Sequence, residues 1–229
     1  MRITLPSGTP AILARPRPQP PAGFEHGLVL LPDVFGLRPL YDDLCEQLSQ
    51  RWGLVVCAPE PFPGRDLPPD VPARLAVSRE IPDADRLRDI SEAADATGCA
   101  RLALIGFCQG GTYAYHASRL DRFARLVAFY GPVRPPEAGL GPGQTRVLDA
   151  LAEGRPGRVL ALLGGSDPLV PEDDVAALER AGVSVMRYPQ AGHGFVHDPD
   201  RPTHRAADAA DAWRRCEDWL RLGRAPLGR

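Results

Sequence analysis

LIGFCQGGTYAYH, residues Leu104 to His116, decides how the chain is read. An apolar run ends at Phe107, a run with helical spacing begins at Gly110, and Cys108 stands between them in the pattern Gly-x-Cys-x-Gly-Gly. So tight a passage from strand to helix forces its central residue toward a strained backbone conformation, and small flanking residues let strand and helix approach each other. The central side chain then projects above the end of the sheet. The N–H of Gln109, which opens the helix, points at the same space. A thiol there is acidified by the helix N-terminus or a nearby histidine, which is what a nucleophile needs. Cys45, Cys57, Cys99 and Cys216 have no such setting and are read as packing residues. Five cysteines, an odd number without CxxC or zinc spacing, indicate reduced thiols rather than a disulfide framework or a metal site.

Working outward, apolar runs at 28–33, 54–60, 101–108, 125–131, 158–165 and 183–190 lack alternation, as strands covered on both faces do. Helical spacing occupies 40–51, 83–97, 110–119, 172–181 and 204–222. This alternation predicts an α/β fold with a mainly parallel sheet, helices on both faces, and a site at the carboxyl ends of the strands. The 229 residues are expected to form one domain over 1–229. The 26 prolines and 23 glycines gather in connections at 16–23, 59–72 and 131–143, and loops 59–80 and 131–146 are expected to shape the pocket. A formal net charge of −2 gives no reason to expect nucleic acid or an anionic membrane surface. The N-terminus lacks the apolar core of a signal peptide and no run is long enough to span a bilayer, so a cytoplasmic protein is expected. Without a heptad seam the chain reads as a monomer or small homo-oligomer.

A thiol nucleophile needs a base, and the base needs an orienting acceptor. Asp167 follows an apolar strand in GGSDPLVP, and His193 follows the next in AGHGF, flanked by Gly192 and Gly194. Nucleophile, acid, histidine is the chain order of the α/β-hydrolase arrangement. His26, His116, His197 and His204 lack that combination. In PDVFGL, after the first strand, Val34 is the expected second oxyanion donor. Asp33 beside it is a candidate gate that keeps the thiol neutral by like-charge repulsion. Phe35, Phe62, Tyr130 and Phe195, aromatic residues at strand ends, are candidates for lining the pocket.

In this order PDVFGL, GFCQGG, GGSDPLVP and AGHGF resemble the dienelactone hydrolase family of α/β-hydrolases, over roughly residues 28–222. The resemblance implies an α/β-hydrolase fold without a large lid and a triad of Cys108, His193 and Asp167. It also implies an oxyanion hole from the N–H groups of Val34 and Gln109, and hydrolysis of a lactone or small ester through a thioester, with no metal or organic cofactor. Two departures stand out. The family usually carries Glu where this chain has Asp33, one methylene shorter. Its dienelactone-cleaving members hold the substrate carboxylate with arginines, one of them four residues after the catalytic histidine, where this chain has His197. Arg201 and Arg79 are the substitutes at hand. Imidazole does not replace a bidentate guanidinium. Acyl transfer to an alcohol, a non-catalytic ligand-binding or regulatory role, and a redox-sensing Cys108 are the competing readings.

Overall fold

The structure, a computed structural model, describes residues 1–18, 26–135 and 138–220. Parts of the expected loops 16–23, 131–143 and 131–146, and the end of the helix expected over 204–222, lie outside the described residues.

Eight strands form one sheet: β1 (Arg2–Thr4), β2 (Pro10–Ala14), β3 (His26–Leu31), β4 (Val55–Pro59), β5 (Arg101–Phe107), β6 (Phe123–Phe129), β7 (Val159–Gly164) and β8 (Ser184–Tyr188). Their order across the sheet is β1-β2-β4-β3-β5-β6-β7-β8. From β4 to β8 every neighbouring pair is parallel, and β2 pairs antiparallel with both β1 and β4, so among the described strands β2 alone is reversed. Among the described residues the helices are α1 (Pro39–Trp52), α2 (Val71–Ser78), α3 (Asp83–Thr97), α4 (Gln109–His116), α5 (Val147–Glu153), α6 (Glu172–Arg180) and α7 (Ala206–Leu220).

The unalternating strands have the cause expected of them. In β5, Leu102 and Leu104 enter the apolar layer under α3 and α4, while Ile105 and Phe107 enter the opposite layer under α1 and α7. Both faces of the strand are apolar, so the period of two disappears from the sequence although it persists in space. The six expected strands and five expected helices all form. α4 ends at His116, followed by a single 3-10 turn over Ala117–Arg119. The short α2 and α5 and the antiparallel β1 and β2 are additions to the sequence reading.

The chain passes from β3 to β4 on one side and returns through α3 to β5 on the other. The carboxyl ends of β3 and β5 therefore flank the point where strand order reverses, where open α/β sheets leave a crevice for ligands. Asp33 and Val34 follow β3, and Cys108 follows β5.

Candidate active site

Cys108 has φ 52° and ψ −114°, a left-handed conformation costly for any residue with a Cβ. Its surroundings impose the turn. A Cβ on Gly106 would lie 2.0 Å from the carbonyl oxygen of Gly110, and a Cβ on Gly110 would lie 2.3 Å from that of Leu31. β5, α4 and the end of β3 thus meet backbone to backbone, at a distance only glycine permits. The N–H of Cys108 donates to the carbonyl of Phe129 (3.0 Å), and its own carbonyl accepts from the N–H of Thr112 (3.0 Å). The main chain is pinned on both sides while the side chain remains partly exposed.

His193 follows β8, and its Nδ1–H donates to Oδ2 of Asp167 at 2.8 Å. Asp167 is buried, and its Oδ1 accepts from the N–H of Leu169 (2.9 Å), which fixes the carboxylate in its loop. Nε2 of His193 is buried with no partner at ordinary hydrogen-bond geometry. The remaining group that acts on the ring is the Cys108 thiol. Burial opposes a charged ring, yet the hydrogen bond to the Asp167 carboxylate, with the nearby sulfur of Cys108, outweighs it and pushes the imidazole pKa up to about 10. The rings of Tyr130 and His193 pack edge to face, with centroids 5.2 Å apart and planes at 68°.

The turn after β3 is built around Asp33, which is 1% exposed. Its Oδ1 accepts from Nη1 of Arg38 (2.7 Å) and from the N–H of Phe35 (3.0 Å), and its Oδ2 accepts from Nη2 of Arg38 (3.0 Å). Nε2 of His197 lies 3.0 Å from Oδ2, with Arg201 3.6 Å away. Burial disfavours the charge, but His197 and Arg38 hold the carboxyl well below the usual carboxylate range. Among the described residues no hydrogen bond joins Asp33 to Cys108, because Arg38, the N–H of Phe35 and His197 already hold both its oxygens, which leaves the expected gate only its charge to act through. The same network changes the reading of His197. It is buried rather than presented to a ligand, with its pKa lowered by that burial.

The N–H groups of Val34 and Gln109 form no backbone or side-chain hydrogen bond among the described residues, as an oxyanion hole requires. α2, absent from the sequence reading, braces both. Arg74 donates to the carbonyls of Phe35 (3.1 Å) and Val34 (3.4 Å), and the side-chain amide of Gln109 donates to Ser78 Oγ. The sequence did carry a signal for it. Asp70 caps the helix by accepting from the N–H of Ala73 (2.8 Å), with Pro72 in the first turn.

Of the aromatic candidates only Phe35 is partly exposed. The guanidinium carbons of Arg38, Arg74 and Arg201 lie 5.6, 5.8 and 5.6 Å from its ring centroid. Phe62, Tyr130 and Phe195 are buried in the interior, which removes them from the pocket surface. Arg79 donates to the carbonyl of Gly139 (3.0 Å), and Arg201 is drawn to Asp33 and to Asp198 (3.5 Å). Arg201 is thus engaged by two carboxylates, whereas Arg79 spends only its Nε–H, on a backbone carbonyl.

The sequence model of the dienelactone hydrolase family matches residues 10–222. A Methylorubrum extorquens protein named "Putative carboxymethylenebutenolidase" is 30% identical, over 85% of this chain and 71% of its own. The carboxymethylenebutenolidase of Rhodococcus opacus is 29% identical, over 86% of this chain and 83% of its own. A crystal structure of a "Putative Dienelactone Hydrolase" from Klebsiella pneumoniae superposes with a TM-score of 0.83 at 25% identity, covering 96% of this chain and 97% of the other.

Proposed function

Because the chain belongs to the dienelactone hydrolase family, we propose that it hydrolyses a lactone or small carboxylic ester through a thioester on Cys108, with His193 and Asp167 completing a triad. The observation that carries this reading is a cysteine at φ 52° opening α4, beside an imidazole whose other nitrogen is bound to a buried carboxylate. A lone packing cysteine has no need of that strain.

Every proton moved in the cycle passes through His193. His193 takes the proton of Cys108 and the sulfur attacks the acyl carbon. The C–S bond forms, and the carbonyl oxygen takes the negative charge between the N–H groups of Val34 and Gln109. As the carbonyl re-forms, the C–O bond to the leaving alcohol breaks, and the imidazolium gives that oxygen its proton. Acylation also removes the sulfur's negative charge, one of the influences that raise the His193 pKa. The neutral imidazole is then the base that takes a proton from water as water attacks the thioester. The thiolate leaves, the acid is released, and the pair is restored.

The names of the curated relatives point to lactone substrates. In this chain Arg38 and Arg201 already face Asp33 and Asp198, which favours an uncharged ester or lactone over one bearing a carboxylate. Steady-state turnover of a short-chain activated ester by wild type and Cys108→Ala tests the reading. Wild type is expected to turn over and the variant, still folded, to lose activity by at least about 1,000-fold. Equal rates would refute it.

A further inference from the structure

Tyr130, His197 and Asp33 form a buried chain of hydrogen bonds that the proposed cycle does not use. An ionised carboxylate only accepts, so Nε2 of His197 carries the proton it donates to Asp33 Oδ2, 3.0 Å away. Nδ1 of the neutral ring is then an acceptor, and the hydroxyl of Tyr130 donates to it. All three side chains are at most 5% exposed, and Tyr130 itself holds a strained φ of 39°. Such a chain in the interior fixes orientation tightly, because each member lost leaves the next one buried and unsatisfied.

Its far end is the oxyanion turn. The N–H of Asp33 donates to Tyr41 Oη (2.8 Å), and the N–H of Phe35 donates to the Asp33 carboxylate (3.0 Å). The hub around Asp33 therefore engages the N–H on each side of Val34 and leaves that of Val34 itself unspent. At its near end, the ring of Tyr130 packs edge to face with that of His193. The loops after β3, β6 and β8 are thereby joined through one buried chain, Asp33–His197–Tyr130.

We propose that Tyr130 and His197 are positioning residues: through Asp33 they hold the Val34 N–H in place for the oxyanion, and they act on acyl chemistry rather than on the reactivity of the thiol. The inference rests on the thioester reading above. It separates two reactions of the same sulfur, since acylation by an ester needs an oxyanion hole and alkylation by iodoacetamide, a displacement at saturated carbon, needs none.

The test compares wild type, Tyr130→Phe, His197→Leu and His197→Gln for acylation by a short-chain activated ester, alkylation of Cys108 by iodoacetamide, and thermal midpoint. Loss of a single oxyanion donor lowers kcat by about 100-fold or more. A fall of about 10-fold to 100-fold in kcat with KM little changed is expected for Tyr130→Phe and His197→Leu, while alkylation stays within about threefold. His197→Gln, whose amide can still donate to Asp33, is expected to recover part of the loss. Should acylation and alkylation fall together, the chain acts through the thiol and the proposal is overturned. Unchanged acylation overturns it too, leaving the three residues as packing. Tyr130→Phe deletes one oxygen only and decides the matter if His197→Leu does not fold. A wild-type protein that is alkylated at Cys108 but never acylated would instead sink the hydrolase reading itself.

Discussion

At the scale of the residue, the site depends on where one proton resides. The folded pKa of His193, about 10, lies above the imidazole's ordinary 6.5, so the stability it contributes is fully present below pH 6.5 and is lost as pH rises through about 10. The same proton is needed on the leaving alcohol. Ester hydrolysis is therefore expected to decline as pH approaches 10, and in Asp167→Asn the decline should begin at lower pH, together with a fall in rate at neutral pH. A pH–rate profile of both proteins checks this, and coincident upper limbs would show that Asp167 does not support the imidazolium. Cys108, Asp167 and His193 were legible in the sequence because each follows a strand, in a meaningful order and beside glycines. The partners of Asp33 were not. His197 lies 164 positions away, and a histidine reads the same in sequence whether it faces a ligand or a buried carboxylate.

At the scale of the element, the elbow is a packing problem before it is a chemical one. Gly110→Ala drives a methyl group to 2.3 Å from the Leu31 carbonyl oxygen, against backbone that cannot yield as a side chain would. A destabilisation of about 3 kcal/mol with loss of activity is expected, against almost none for Gly157→Ala, which has open space around it. Urea unfolding of both variants measures the difference. A second element-scale device joins α3, α4 and the loop before α5. Asp83 accepts from Tyr113 Oη (3.1 Å) and from the N–H and hydroxyl of Thr145 (2.8 Å each), with Nδ1 of His116 3.5 Å away. Burial, aided by Arg119 and opposed by Asp83, lowers the His116 pKa to about 4. The unfolded chain then binds the proton first, so stability present above pH 6.5 drains away as pH falls toward 4. The loss amounts to about 3 kcal/mol, and it should shrink in His116→Gln when unfolding is followed at several pH values. Neither α2 nor α5 was legible. At 8 and 7 residues they are too short for a periodic pattern to emerge, and only the Asp70 cap marked the first.

At the scale of the whole molecule, the order of strands brings the chemistry together. β3 and β5 are neighbours on either side of the reversal, so the turn bearing Val34 and the turn bearing Cys108 face one crevice although 74 positions separate them. That much followed from the alternation of strands and helices, because a parallel α/β sheet has its ligands at such a point. Charge around the crevice was less legible, since the count of arginines in a sequence does not say which are already paired. With Arg38 and Arg201 engaged by Asp33 and Asp198, an uncharged short ester should show a kcat/KM about tenfold or more above that of a lactone bearing a carboxylate. The reverse order would mean that these ion pairs open for the substrate. The central claim, a covalent acyl-enzyme on Cys108, is tested most directly by mixing the protein with an activated ester, quenching within the first turnover, and mapping the added mass by peptide mass spectrometry. The account predicts one acyl group per chain, on the peptide containing Cys108, that decays at the rate of turnover and is absent from Cys108→Ala. Turnover with no adduct on that cysteine, or an adduct on another residue that decays as fast as product appears, would contradict it.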